Sequence, residues 1–202
     1  ATGLMLAGFL VAHLSGNLLV FVGREAINAY AQGLRQFPIV LLAMRVGLIG
    51  AAVLHVLFSI KAILRSRAAR PVPYATKDYI RASFASRAMV LTGFLTLFYA
   101  LFHLAHFTWR LTNPEIAALG AFDAYQMLIL AFSDPLTCVF YIVAMIVLGL
   151  HLAHGIQSLF QTLGASQPKF NPWVRRSGPI VGWLLVAGYV AIPVAVFAGA
   201  LK

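Results

Sequence analysis

Polar residues in this chain fall in short clusters, and the stretches between them are apolar on every side rather than along one stripe. A helix that faces water on one side shows apolar positions at three- and four-residue spacing; a helix apolar all round is buried in protein or in lipid. Five stretches reach the roughly 20 residues needed to cross a hydrocarbon core. They run over about residues 2–22, 39–64, 87–111, 135–163 and 178–201. The pattern predicts an all-α chain, one domain over 1–202, folded as an integral membrane bundle of five transmembrane helices. The first stretch has no basic leader and reads as a span, not as a signal peptide. Asp134 and Pro135 read as the N-cap and first helical residue of the fourth span. Pro193 is expected to kink the fifth, which neighbouring helices tolerate. Two connections are amphipathic, Arg24–Phe37 ending near Gly33 and Ala121–Phe132, and both are expected to lie ordered at the outer interface.

Composition agrees with a membrane class. Of 202 residues, 61% are hydrophobic and 10% charged, where soluble domains carry about 25% charged residues. The net charge of +10 resembles that of nucleic-acid binders, but no soluble surface remains to bind nucleic acid, and basic loops are what the positive-inside rule requires. Arg65, Arg67, Arg70, Lys77, Arg81 and Arg87 lie between the second and third spans; Lys169, Arg175 and Arg176 lie between the fourth and fifth. Asp78 alone opposes them. The other two loops are balanced: Arg24 and Arg35 against Glu25, and Arg110 against Glu115, Asp123 and Asp134. The basic loops are therefore expected in the cytoplasm, with the N-terminus cytoplasmic and the C-terminus outside. Trp109, Trp173 and Trp183 fall near the expected interfaces, as aromatic belts do. The single cysteine, Cys138, excludes an internal disulfide, an iron–sulfur cluster and covalent haem attachment on this chain.

Imidazoles within lipid are costly and need a reason. The six histidines are His13, His55, His103, His106, His151 and His154, in four of the five spans. Each span's first histidine lies past the midpoint of its helix in chain direction. Because successive spans run in opposite directions, His13 and His103 are expected nearer the outer face, and His55 and His151 nearer the cytoplasm. Two layers of two imidazoles result, each bridging facing helices of a four-helix bundle. Two imidazoles fill both axial positions of a haem iron, so four helices enclosing two stacked b-type haems would account for the layering and would transfer single electrons. His106 and His154 follow their neighbours by three residues, about 60° around a helix, so spacing leaves open which member of each pair is the ligand. A haem-free metal or proton transporter is the alternative from another class, although such sites usually add carboxylates and these spans contain none.

The chain resembles the cytochrome b membrane anchor of succinate dehydrogenase and fumarate reductase, in its single-chain, five-helix, di-haem form. The resemblance covers nearly the whole chain. It rests on His13-Leu-Ser-Gly-Asn17, on Phe21-Val-Gly-Arg-Glu-Ala-Ile-Asn-Ala-Tyr30, on His55 with the basic exit through Arg65, Arg67 and Arg70-Pro71, on Phe102-His-Leu-Ala-His-Phe107, and on His151-Leu-Ala-His-Gly155 continuing to Gly164. It selects His103 over His106 and His151 over His154 as ligands, giving His13 and His103 to a distal haem and His55 and His151 to a proximal one. It implies a flavoprotein and an iron–sulfur protein as cytoplasmic partners, membrane quinone, most simply menaquinone, as electron acceptor or donor, a bacterial cytoplasmic membrane, and room for a higher oligomer of the whole complex. No dicarboxylate or flavin site is implied on this chain. The cytochrome b subunit of a membrane hydrogenase or formate dehydrogenase is the related alternative. Some fumarate reductases of this kind carry a glutamate near a haem ligand; the matching stretch Val147-Leu-Gly-Leu-His151 has none.

Further residues fit around this frame. Arg45 is a cation inside the second span and is expected to meet a distal propionate; Lys61 and Arg65, after His55, are placed to meet proximal ones. Asn17, four residues after His13, shares its face, and His106 and His154 are expected to hydrogen-bond propionates or quinone. Glu25, Asn28 and Tyr30 are the expected quinone residues at the outer end.

Overall fold

The computed structural model describes residues 1–69, 72, 82–119, 123–164 and 171–202, and among these it is helical with no strand. Helix α1 (Thr2–Asn17) closes in a 3-10 turn, Leu18–Phe21. An amphipathic α2 (Arg24–Arg35) and a long α3 (Pro38–Ala68) follow. After a short turn, α4 (Phe84–Arg87), α5 (Met89–His103) runs into a π-helical turn, Leu104–Thr108. Two short helices, α6 (Pro114–Ala118) and α7 (Ala124–Ser133), precede α8 (Pro135–Thr162) and α9 (Asn171–Phe197). Five of these elements are long and apolar enough to cross a membrane: Thr2–Phe21, Pro38–Ala68, Met89–Thr108, Pro135–Thr162 and Pro172–Phe197. Arg70, Pro71, Lys77, Asp78, Arg81, Ala121 and Lys169 lie outside the described residues.

Side-chain caps set several helix starts. The Asp134 carboxylate accepts from the Thr137 N–H at 2.8 Å, and Pro135 takes the first helical position, where its missing N–H costs nothing. Hydrogen bonds from the Thr137 side chain and backbone N–H hold the Asp134 carboxyl below its ordinary range. Asp123 caps α7 through the Gln126 N–H at 3.0 Å, and Asn113 caps α6. The helix of the fifth span starts seven residues earlier than the sequence pattern suggests, at Asn171 instead of Gly178. Pro172 fits the first turn of a helix, and Ser177-Gly178-Pro179 is a packing feature rather than a break.

The most extensive packing joins α8 to α9. Small residues four apart face each other there, Gly149 and Ala153 against Gly178 and Gly182. A Cβ on Gly178 would lie 2.0 Å from the Ala153 carbonyl oxygen, and one on Gly182 would lie 3.2 Å from that of Gly149. Without a hydrophobic drive between helices in lipid, such backbone proximity is what supplies dispersion contact. Helix α1 is seated on α9 by the Tyr189 hydroxyl, which donates to the Leu10 carbonyl at 2.7 Å, and by Leu14 against Gly188.

The short helices α2, α6 and α7 cap one end. Arg24 pairs with Asp123. Asn28 donates to the same carboxylate at 3.1 Å and accepts from the Tyr125 N–H at 3.2 Å. Partial burial alone would raise the Asp123 pKa, but the Gln126 N–H, Asn28 and the Arg24 charge together hold it below the ordinary carboxylate value. Val20 and Ile116, both fully buried, sit with Ile27, Ala131 and Phe132 in the apolar layer beneath.

Candidate functional site

The helices that carry histidines associate as two pairs, α1 along α3 and α5 along α8. Helix α3 makes at most glancing backbone contact with α5 and α8, and α1 touches α8 only lightly, so the two pairs meet mainly through side chains along a seam, called the slot below. Imidazoles meet across it at two heights. The rings of His13 (α1) and His103 (α5) have centroids 5.9 Å apart at 84°, at the capped end. Those of His55 (α3) and His151 (α8) lie 6.5 Å apart at 79°, toward the other end, beside Thr2 and Gly3.

Neither pair is joined by an imidazole–imidazole hydrogen bond among the described residues. Two imidazoles on opposite sides of one metal ion, each nitrogen about 2 Å from it, place their ring centroids roughly 6 Å apart. Both observed separations are close to that value. Among the described residues no three or more His, Cys, Asp or Glu side chains converge, so an all-protein tetrahedral metal site has no donor set here. A six-coordinate haem iron takes two axial donors, and each layer brings two imidazoles together.

Each imidazole has a polar neighbour. His55 Nδ1 is 3.5 Å from the Thr2 hydroxyl, and His151 Nδ1 is 3.3 Å from the Thr92 hydroxyl. His103 Nδ1 is 3.4 Å from the Tyr141 hydroxyl. Asn17 donates to the His13 carbonyl at 2.7 Å, and its amide nitrogen is 3.4 Å from both His13 ring nitrogens. Glycines leave room beside the lower pair: a Cβ on Gly93 would touch His151 Cε1 at 3.4 Å, and one on Gly3 would touch His55 Cε1 at 3.6 Å. On α5, between the two heights, the Thr96 hydroxyl is buried and has no hydrogen-bond partner among the described residues.

The remaining candidates are distributed as follows. His106 is 2% exposed and bonds to the Tyr141 hydroxyl at 3.0 Å, while His154 is half-buried one turn beyond His151. Arg45, Lys61 and Arg65 are exposed along α3. Glu25, Asn28 and Tyr30 do not converge. Glu25 is exposed, Asn28 is committed to Asp123 and Tyr125, and the Tyr30 ring lies on Gly16, where a Cβ would be 2.5 Å away. Tyr30 also borders an open apolar cleft of about 350 Å³ between α2 and the start of α3, lined by Leu34, Phe37, Val40 and Met44.

Thr2, Thr92, Thr96 and Tyr141 are absent from the candidates that sequence reasoning picks out. One signal pointed to Thr92. It precedes His103 by eleven residues, three helical turns, so the two share a face of α5 about 16 Å apart in height. Tyr141 has no such marker, because its partners are on another helix. No protein-family model, curated protein or solved structure matches the chain.

Proposed function

We propose that this chain is a di-haem cytochrome b membrane anchor of a succinate:quinone oxidoreductase. One observation carries the reading: two imidazole pairs span a slot between helix pairs at two heights, each with the donor number and spacing of axial haem ligation. His13 and His103 hold one haem b; His55 and His151 hold the other. A haem held by two imidazoles would supply one-electron transfer and would leave no open site for oxygen.

The chain's own residues fix the imidazoles, close the slot to water and set its depth. The α2–α6–α7 cap covers the His13/His103 end, and the Arg24–Asp123 and Asn28–Asp123 contacts hold it shut. In a bacterial cytoplasmic membrane, with the Arg65/Arg67 end inside, the His55/His151 pair is the one nearer a docked iron–sulfur subunit and flavoprotein. Electrons then pass between that subunit and membrane quinone, with menaquinone as the expected partner. Arg45, Lys61 and Arg65 are the propionate partners, reaching inward from α3 when the slot is filled. The apolar cleft beside Tyr30 suits an isoprenoid tail, with Gln36 as the polar side chain in its lining.

The test uses the complex purified from its native membrane through a tag on this chain. Succinate added anaerobically is expected to reduce a b-type absorbance, and a flavoprotein and an iron–sulfur protein are expected to co-purify. A b-type chromophore that responds to hydrogen or formate but not to succinate would reassign the partner dehydrogenase and leave the haem reading intact.

A further inference from the structure

Thr92 on α5 is 3% exposed, and its hydroxyl has three neighbours. The oxygen is 3.0 Å from the Ala88 carbonyl, 3.3 Å from the Met89 carbonyl and 3.3 Å from His151 Nδ1. The shortest of the three contacts is to the Ala88 carbonyl, which can only accept, and the single hydroxyl proton is assigned to it. Toward His151 the oxygen can then only accept, which requires the proton of that ring on Nδ1 and leaves the Nε2 lone pair free.

Tyr141 on α8 stands in the mirror relation at the other height. It is 4% exposed, and its oxygen is 3.0 Å from His106 Nδ1 and 3.4 Å from His103 Nδ1. The shorter contact takes the phenolic proton, so Tyr141 donates to His106 and accepts from His103 Nδ1–H. His103 Nε2 is thereby left free, while His106 Nδ1 is occupied. The π-helical turn Leu104–Thr108 begins one residue after His103 and carries His106; such turns are frequent at functional sites.

We propose that Thr92 and Tyr141 are positioning residues that fix the tautomer and ring orientation of His151 and His103, each of the two helices bracing the other's imidazole. This deepens the reading given above and rests on it for the ligand role of Nε2. An Nδ1–H donated to oxygen makes an imidazole a more basic donor and so stabilises oxidised iron. Removing the acceptor raises the potential of the haem on that side and leaves the other unchanged.

The experiment has two arms. In full-length chain reconstituted in lipid without haem and labelled with ¹⁵N-histidine, His151 is expected as the Nδ1–H tautomer. Thr92→Val should mix the two tautomers, and Thr92→Ser should keep the wild-type state. In haem-loaded protein, redox titration of Thr92→Val should change the reduced-to-oxidised ratio of one haem by about tenfold at fixed potential, with Thr92→Ser near wild type. Tyr141→Phe should shift the other haem alone. Wild-type chain that binds no haem defeats the function reading, while the tautomer arm still tests the bracing. A predominantly Nε2–H His151 overturns the proposal, and so do potentials that stay fixed or move together in both variants.

Discussion

The α8/α9 interface and the slot between the α1/α3 and α5/α8 pairs are built on opposite rules. At α8/α9 the backbones touch: Gly178 and Gly182 lie against Ala153 and Gly149 with no space for a methyl group. Across the slot, backbone contact is slight and imidazoles meet. The difference shows in burial. Of the apolar window of α8, 44% is buried, against 6% for α3. One region is finished by protein alone. The other brings four imidazoles together, each with one polar neighbour, and includes the Thr96 hydroxyl, which has no hydrogen-bond partner among the described residues. In lipid an unsatisfied polar atom is costly, and on the function proposed above the slot is where a bound group would offset that cost.

Substitutions that separate the two regions should do so sharply. The largest effect is expected from His→Ala at His13, His55, His103 or His151. Each should abolish one haem of two, read by pyridine haemochrome, while the α8/α9 contact keeps the chain folded. Next is Gly178→Ala. Its methyl group has no space beside the Ala153 carbonyl, and overpacking of this kind costs about 1–3 kcal/mol. Its melting temperature in detergent should fall well below wild type, with both haems lost together on unfolding. Gly93→Val is the matching test in the slot. It crowds His151, whose Cε1 is already in contact range of a Cβ, so the His55/His151 haem should be depleted with little change in melting. If Gly93→Val unfolds the chain as Gly178→Ala does, the two regions do not differ as described.

The smallest effect concerns the cap. Asp123→Asn removes a half-screened ion pair, worth about 1 kcal/mol or less. It should raise proteolytic nicking near α2 and α7 without changing haem content. The Asp123 carboxyl has a folded pKa below its ordinary value of 3.8. Its stabilising contribution is therefore complete above the unfolded value and is lost as pH falls through the folded one. Nicking of wild type should rise only in that acid window, and Asp123→Asn should be flat across it.

Much of this architecture was legible in the sequence because length and all-round apolarity are one-dimensional signals. The spans at Thr2–Phe21 and Pro135–Thr162 come within a residue or so of the expected limits. The depth pattern of His13, His55, His103 and His151 was likewise readable, since alternating helix direction turns position along a span into height. What could not be read depends on neighbours in space. The Ser177-Gly178-Pro179 run resembles a helix boundary, yet α9 continues through it because Gly178 is held against the α8 backbone. The α-helix of the third span gives way to a π turn at Leu104, where periodicity shows no break. The role of Tyr141 depends on its reaching two histidines of another helix. Asn28 looked available for a ligand and is instead taken by Asp123 and Tyr125.

Haem stoichiometry of the purified wild-type chain tests the central claim most directly. Pyridine haemochrome quantitation against protein mass should give two haems b per chain, falling to one when either member of a pair is replaced by alanine. A colourless chain, or one whose haem content is indifferent to His13, His55, His103 and His151, would contradict it.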